Sequence, residues 1–516
     1  MVQLSGIKYT REKFVFKKGF VKRFTIVGFT AALLSGVFFV SRLVNLTIIP
    51  IFTDEAIYLR WAQIALSDPR WRFISLIDGK QPLFIWLLLP VLKFISDPLI
   101  AGRLVSVGLG FMAMVGFAVF GWVVTKRLRG AVIGAALYLC LPFFLVYDRL
   151  AIYEALLVAI SVWSLLLTYL FGKFQRLDLA LLLGTTIGAG LLTKSSASFS
   201  WYLLPLTLLL IKWPKTGKLP VFMKWLGLTF AVIVQAQIYE NITRLSEFRH
   251  VIAQKNLTFI YSFSDFLQDP FRVAQGNLNG LIGWLVSYCT IPFFLVLIIA
   301  AIFLLRRKWQ EGLFFLGFFL VPFVALAFFG KVIYPRFLSF MLPAILVPVI
   351  IFVSYLWETK IQKPLLLILA TVVLVPILVF DLQLLTDPVS APLPYADRQQ
   401  LINDWPAGYG IKEVITLFTV ESKTKHIFVG TEGTFGLFPM ALELYLGTNP
   451  NVTFKAYWPV SEVPAELREL AKTYPTYLLF KERQDIPGEW PLLLISEYRR
   501  GDGPTYLRLF RVLPRS

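Results

Sequence analysis

The sequence predicts an all-α polytopic membrane domain of about eleven transmembrane helices, followed by a small α/β domain outside the bilayer. Three observations predict it. The 516 residues are 57% hydrophobic with a mean hydropathy of +0.70, where a soluble chain holds roughly 45–50% apolar residues. Repeated apolar runs approach the ~20 residues that cross a bilayer. The charge is also uneven: residues 1–385 hold 36 Lys+Arg and 16 Asp+Glu, and residues 386–516 hold 14 and 15. The net +19 therefore belongs to the apolar part. That excludes nucleic acid as a partner, which would need a basic, polar domain. The 47 phenylalanines suit lipid-facing surfaces. Cys140 and Cys289 both lie in apolar runs and read as neither a disulfide nor a metal cluster.

The elements follow in order. Residues 1–23 carry seven Lys and Arg and form a cytoplasmic N-terminal segment. The apolar run from Phe24 to Val44 is too long for a signal-peptide core and reads as a retained first span. Further spans are expected near 101–125, 130–147, 151–171, 178–193, 199–212, 221–239, 281–305, 312–329, 337–357 and 364–385. The run from Pro82 to Ile95 is apolar apart from Lys93, but at about 14 residues it fits an interfacial or re-entrant helix better than a crossing. Basic connectors decide the point. If 82–95 does not cross, Lys126, Arg127 and Arg129, and later Arg306, Arg307 and Lys308, fall on the cytoplasmic side, as the positive-inside rule requires. The outer side of the cell (plasma or inner) membrane then receives loops 45–100 and 240–280, short turns at 148–154, 194–198 and 330–336, and the tail 386–516. The membrane domain is 24–385.

The tail alternates strand and helix signals. Thr424–Gly430 and Thr476–Lys481 read as strands, and Phe435–Leu446 and Val463–Thr473 as helices. Leu492–Tyr498 and Thr505–Val512 read as a closing strand pair around an Arg-Gly-Asp-Gly turn.

Residues able to carry chemistry gather on the outer side. Asp54-Glu55 lies about ten residues past the first span; adjacent carboxylates can act as a general base and its support, or cap a helix. Lys80 precedes the short apolar helix and suits a phosphate or an interfacial anchor. Asp148, Arg149 and Glu154 stand at an outer junction of two spans, where ionisable groups are functional candidates or a structural Arg–Glu pair. Lys194, Lys331, Arg336 and Arg103 sit at outer span ends. Together these cations beside an acidic pair suit an anionic, phosphorylated lipid headgroup with a carboxylate poised next to it. Tyr58 and Tyr334 are the aromatic hydroxyls nearest in sequence and join Asp148 and Glu154 as candidates for sugar or acceptor.

Asp54-Glu55, Gly-Lys-Gln-Pro-Leu at 79–83, Arg103, Tyr-Asp-Arg-Leu-x-x-Tyr-Glu at 147–154, Gly-Leu-Leu-Thr-Lys at 190–194 and Tyr-Pro-Arg-Phe-Leu-x-x-Met-Leu-Pro at 334–343 resemble, in order and sidedness, the C-type (GT-C) membrane glycosyltransferases. The nearest groups are the family 39 protein mannosyltransferases and the lipid A aminoarabinose transferases, over roughly residues 20–385. The resemblance implies a polyprenyl-phosphate sugar donor, an acceptor hydroxyl on a protein, lipid or glycan, and transfer on the extracytoplasmic face. It implies Asp54 as the catalytic base with Glu55 beside it. Lys80, Arg103, Arg149, Lys194, Lys331 and Arg336 are implied at the donor phosphate, and Glu154 near sugar or acceptor. Gly79 and Gln81 stand where the family's lysine is flanked by His and Pro. No cofactor is indicated; a divalent cation stays open. The other reading is a transporter or flippase of a lipid-linked saccharide, which is expected to place charges at mid-membrane; here they lie at the outer ends. A third, an envelope protein whose tail binds a partner, has no need of Asp54.

Overall fold

A computed structural model describes residues 18–359 and 362–514; most of the basic 1–23 segment and part of the 358–363 connector lie outside the described residues. Helix α1 (Lys18–Leu43) is followed by α2 (Thr53–Ser67), the short α3 (Leu83–Val91) and α4 (Pro98–Thr125). A break at Leu141–Pro142 separates α5 (Leu128–Cys140) from α6 (Pro142–Asp148); then come α7 (Tyr153–Phe174) and α8 (Leu177–Leu191). At 1.5 Å per residue the nine-residue α3 spans about 14 Å, half a bilayer core. Its residues Phe84, Ile85, Leu88 and Leu89 are buried.

Among the described residues five helices are long and apolar enough to cross a membrane, or seven if two bent pairs are each one crossing. Shorter apolar helices at Val27–Leu43, Leu177–Leu191, Ser195–Leu210 and Leu342–Leu356 lie where four further spans were expected. Two expected spans are not regular. The one over 281–305 is two helices, Ala274–Cys289 and Ile291–Arg307, meeting at 107°. Thr290 there has φ +62°, and Pro292 supplies no N–H to continue the ladder. The one over 199–212 is mostly 3-10 turns around Pro205. α7 lies at the centre and is buried on nearly every side, whereas Pro364–Thr386 is only 11% buried, with Leu367, Leu369 and Val372 facing outward as lipid-exposed residues do. Glycines let α4 and α5 touch: a Cβ on Gly121 would stand 2.0 Å from the Gly130 carbonyl.

The tail forms a five-stranded sheet of order β2-β1-β3-β5-β4, with β1 (Ile427–Glu432), β2 (Val452–Tyr457), β3 (Thr476–Phe480), β4 (Leu492–Arg499) and β5 (Tyr506–Val512). β1 pairs in parallel with β2 and β3, and β5 runs antiparallel to both β3 and β4. The expected strands and helices are present, shifted by a few residues. β2 and the helix Ile411–Glu421 were not anticipated: β2 is a half-exposed strand of mixed polarity, without the apolar run that marks β3.

The tail is docked on α2. Phe52 bridges Ala407, Arg60 pairs with Glu443 at 3.1 Å, and Gln63 donates to the Leu444 carbonyl at 2.9 Å. Loop 240–280 straps the same face. It bridges Ile260 to Gly330, and Lys255 pairs with Asp78 at 2.5 Å, two residues before Lys80.

Candidate active site

α2 begins where Glu55, at its third position, accepts the Phe52 N–H at 2.9 Å, half of a capping box. This turns the next-door carboxylates in opposite directions. Glu55 points inward and is fully buried. It takes a bidentate pair from Arg103 (2.8 and 2.7 Å) and the Ala151 N–H (2.7 Å). Asp54 points outward and pairs with Arg336 at 3.1 Å, its side chain 19% exposed.

Three cations surround Asp54. The Arg336 guanidinium lies between two rings, 4.9 Å from Tyr334 and 5.6 Å from Phe52. Lys80 donates to the Tyr58 hydroxyl at 3.1 Å, and Tyr58, one turn after Asp54, bonds that carboxylate. Lys194 pairs with buried Glu154 at 2.7 Å and lies 4.9 Å over Phe337. Gln81 donates from its side-chain amide to Ser195 Oγ at 2.8 Å, and its main-chain carbonyl accepts from the Tyr153 hydroxyl at 2.8 Å. It thereby ties the Lys80 segment to the Lys194 turn.

The electrostatics follow. Burial alone pushes Asp54 upward, but Arg336, Lys80, Lys194 and the Tyr58 hydroxyl outweigh it and hold the carboxyl below the usual Asp range. Burial would lower Arg336, yet Asp54 and Glu154 hold it above its ordinary value. Lys80 is depressed, by burial first and then by the neighbouring Arg336 and Lys194, with Asp54 opposing. Burial and Asp54 push the Tyr58 phenol well up, so it stays a donor.

Four of the expected phosphate or sugar ligands are occupied elsewhere. Arg103 spends its remaining N–H groups on the carbonyls of Leu46, Ile49 and Pro50. Arg149 does not pair with Glu154; it caps the end of α1 through Ser41, Val44 and Asn45 carbonyls at 2.6–3.0 Å. Asp148 is buried against Arg42 (3.3 Å) and Tyr138 (2.7 Å). Lys331 donates to the Leu257 carbonyl at 2.9 Å and lies over Tyr261, holding the 240–280 strap. Arg103, Arg149 and Asp148 are buried with their partners supplied by the chain, while Lys331 is exposed and its ammonium makes one hydrogen bond among the described residues, to the strap.

The structure adds Asp397 from the tail. Fully enclosed, it accepts from Tyr147 at 2.5 Å and from Tyr288. Burial pushes it up to about 6, against the two tyrosine bonds and Arg336. A lone Asp some 60 residues from the nearest charged motif carries no signal in sequence. No cluster of three or more His, Cys, Asp or Glu able to hold a metal ion is present among the described residues.

No protein-family model matches the chain, and no curated protein matches it. Solved structures do. ArnT from Cupriavidus metallidurans in the apo state aligns over 95% of this chain and 98% of its own, with a TM-score of 0.59 at 12% identity. The same protein bound to undecaprenyl phosphate aligns over 94% and 98%, with a TM-score of 0.56 at 13% identity. At such identities the likeness is one of architecture alone: the chain shares the fold of ArnT over nearly its whole length, tail included.

Proposed function

We propose that this protein is an integral-membrane glycosyltransferase that moves a sugar from a polyprenyl-phosphate donor to an acceptor hydroxyl on the extracytoplasmic face. In this reading the chain crosses about eleven times, with the N-terminus in the cytoplasm and the tail outside. One observation carries it: a mostly buried but accessible carboxylate, Asp54, faced by Arg336, Lys80 and Lys194 at the outer end of the helices. A structural neighbour bound to undecaprenyl phosphate supports a lipid-phosphate ligand.

The chemistry follows from the charges. When the sugar leaves a lipid phosphate, the leaving group is already anionic, so cations rather than an acid must stabilise it. Arg336 offers a planar fork for phosphate oxygens, and Lys194 and Lys80 add point charges. The acceptor hydroxyl gives its proton to Asp54 as its oxygen bonds the anomeric carbon and the carbon–phosphate oxygen bond breaks. A single displacement inverts that centre. Asp54 and the phosphate compete for the same cations. Without donor the carboxylate is a weak base held by Arg336; a phosphate that takes Arg336 removes that hold and raises its basicity. Glu154 positions Lys194, and Glu55 positions the helix that carries Asp54.

The test is turnover of labelled polyprenyl-phosphate sugars by purified wild type and Asp54→Asn. Turnover is expected to fall roughly 10²–10⁴-fold, the usual contribution of a positioned base, while the donor binds at least as tightly because its competitor for Arg336 is neutral. Wild-type turnover in Asp54→Asn removes the base assignment; no turnover with any donor in wild type removes the transferase reading.

A further inference from the structure

Ligands of open α/β sheets bind at the carboxyl ends of parallel strands. In the tail, two cations, Lys481 and Arg500, lie at that edge within electrostatic reach of each other; Glu432 and Glu482 act on Lys481 as well, but neither cation makes an ion pair among the described residues. Lys481 follows β3 directly and is 5% exposed. Its ammonium lies 4.3 Å over the Trp405 indole. Just past β1, Gly433 adopts φ +112°, and a Cβ there would stand 3.1 Å from Lys481 Cε and 3.3 Å from its Nζ. Arg500, at the β4–β5 turn, is fully buried. Its Nε donates to the Ala407 carbonyl at 3.2 Å, while Nη1 and Nη2 have no partner among the described residues.

The carboxylates within electrostatic reach of Arg500 are Asp404 and Glu432, and both are engaged by backbone. Glu432 accepts the N–H groups of Lys481, Glu482 and Arg483 at 2.7–3.2 Å. Asp404 accepts the Trp405 N–H at 2.7 Å. A buried guanidinium with two idle nitrogens is costly in a folded chain unless a ligand or a bound water completes it.

The location is specific. Ala407, which receives Arg500, bridges Phe52, and the Pro406 carbonyl accepts both the Thr53 N–H (3.1 Å) and the Thr53 hydroxyl (3.0 Å). Gly436, at the end of the Gly433–Gly436 loop, stands against the Thr53 methyl. Asp54 is the next residue. A single stretch of backbone, 405–407 against 52–53, thus separates the tail's two cations from the candidate base.

We propose that Lys481 and Arg500 form a binding site for an anionic group, phosphate or carboxylate, carried by the acceptor, with Trp405 as its apolar wall. Guanidinium and ammonium together match such oxygens, and the shared 405–407 and 52–53 backbone puts the bound group on the Asp54 side of the tail. Only the identity of the carrier as acceptor rests on the transferase reading; the anion site does not.

The experiment is calorimetric titration of the full-length protein with inorganic phosphate and, separately, glucuronate. It is done in a Lys194→Ala background, which weakens the cation cluster at Asp54. Binding is expected for at least one anion, and the stronger of the two names the group. Adding Lys481→Gln is expected to weaken it by about tenfold or more, the equivalent of one charge-assisted contact. Arg500→Lys, which keeps the buried charge but loses the fork, is expected to weaken phosphate as well, with melting temperature as the folding control. The proposal is overturned if neither anion binds the Lys194→Ala protein, or if Lys481→Gln leaves the affinity unchanged. Anion binding with no sugar transfer from any donor sinks the transferase reading and leaves this site standing; transfer without anion binding does the reverse.

Discussion

Two ionic clusters lie side by side at the start of α2, and they differ in whether their partners are used up. The inner one holds Glu55 with Arg103, next to Arg149 on the end of α1 and Asp148 with Arg42; each of these side chains is almost fully buried. The outer one holds Asp54, Arg336, Lys80, Lys194 and Glu154, with Asp54 and Lys194 partly exposed. Each sets cations against carboxylates, and the adjacent residues Asp54 and Glu55 belong one to each. In the inner cluster, backbone carbonyls complete the arginines, the Ala151 N–H completes Glu55 and the Tyr138 hydroxyl completes Asp148, so it fixes where the loop at 45–52 and α2 sit. The outer cluster has the same balance, three cations to two carboxylates, but among the described residues Arg336, Lys80 and Lys194 have no backbone carbonyl partners, so donor capacity is left over. A candidate site is marked by unspent capacity for contacts and not by charge alone.

That contrast is best broken by exchanging effects between neighbours. Glu55→Gln leaves Arg103 buried without a counter-charge and is expected to cost about 3–5 kcal/mol of stability, seen as a large fall in melting temperature, with activity lost only as the fold is lost. A Glu55→Gln protein that melts like wild type yet fails to turn over would make Glu55 part of the chemistry and erase the distinction.

Asp397 lies between the tail and the membrane helices and sharpens the comparison through pH. Its folded value, about 6, is above the ordinary Asp value, so the folded state holds the proton more tightly than the unfolded chain. The stability it contributes is fully present below about pH 4 and is lost as pH rises through 6. From the shift, about 3 kcal/mol is at stake for this enclosed group. Melting of wild type across pH 4–7 should therefore carry a decline that Asp397→Asn lacks; identical slopes would mean that Asp397 is ionised in its pocket.

Within the outer cluster, Lys194→Ala is expected to weaken donor binding by about 1.5–3 kcal/mol, the loss of one charge-assisted contact, in a direct donor titration. Unchanged affinity would reduce Lys194 to a partner of Glu154. The smallest effect is expected of Lys331→Ala, whose partners are Leu257 and Tyr261 on the strap: donor affinity within about 0.5 kcal/mol of wild type. A larger loss would bring the strap into the donor site.

Sequence alone determined the membrane character, the short apolar helix inside Pro82–Ile95, the α/β tail and the gathering of Asp54, Lys80, Lys194, Glu154 and Arg336 on one side. These are properties of local composition, run length and the order of charges along the chain, which hydropathy and sidedness expose directly. Only the tertiary structure decided which charges are spent. Arg103 and Arg336 look alike as lone cations at span ends, yet one is saturated by Glu55 and three carbonyls while the other faces Asp54 across a partly open surface. The same holds for the sharp bend at Thr290, for Asp397 meeting Tyr147 across 250 positions, and for Lys481 and Arg500 arriving beside Thr53. Each depends on backbone groups or side chains far away in sequence, and whether a polar atom is free is a property of its neighbours in space, which no local pattern records.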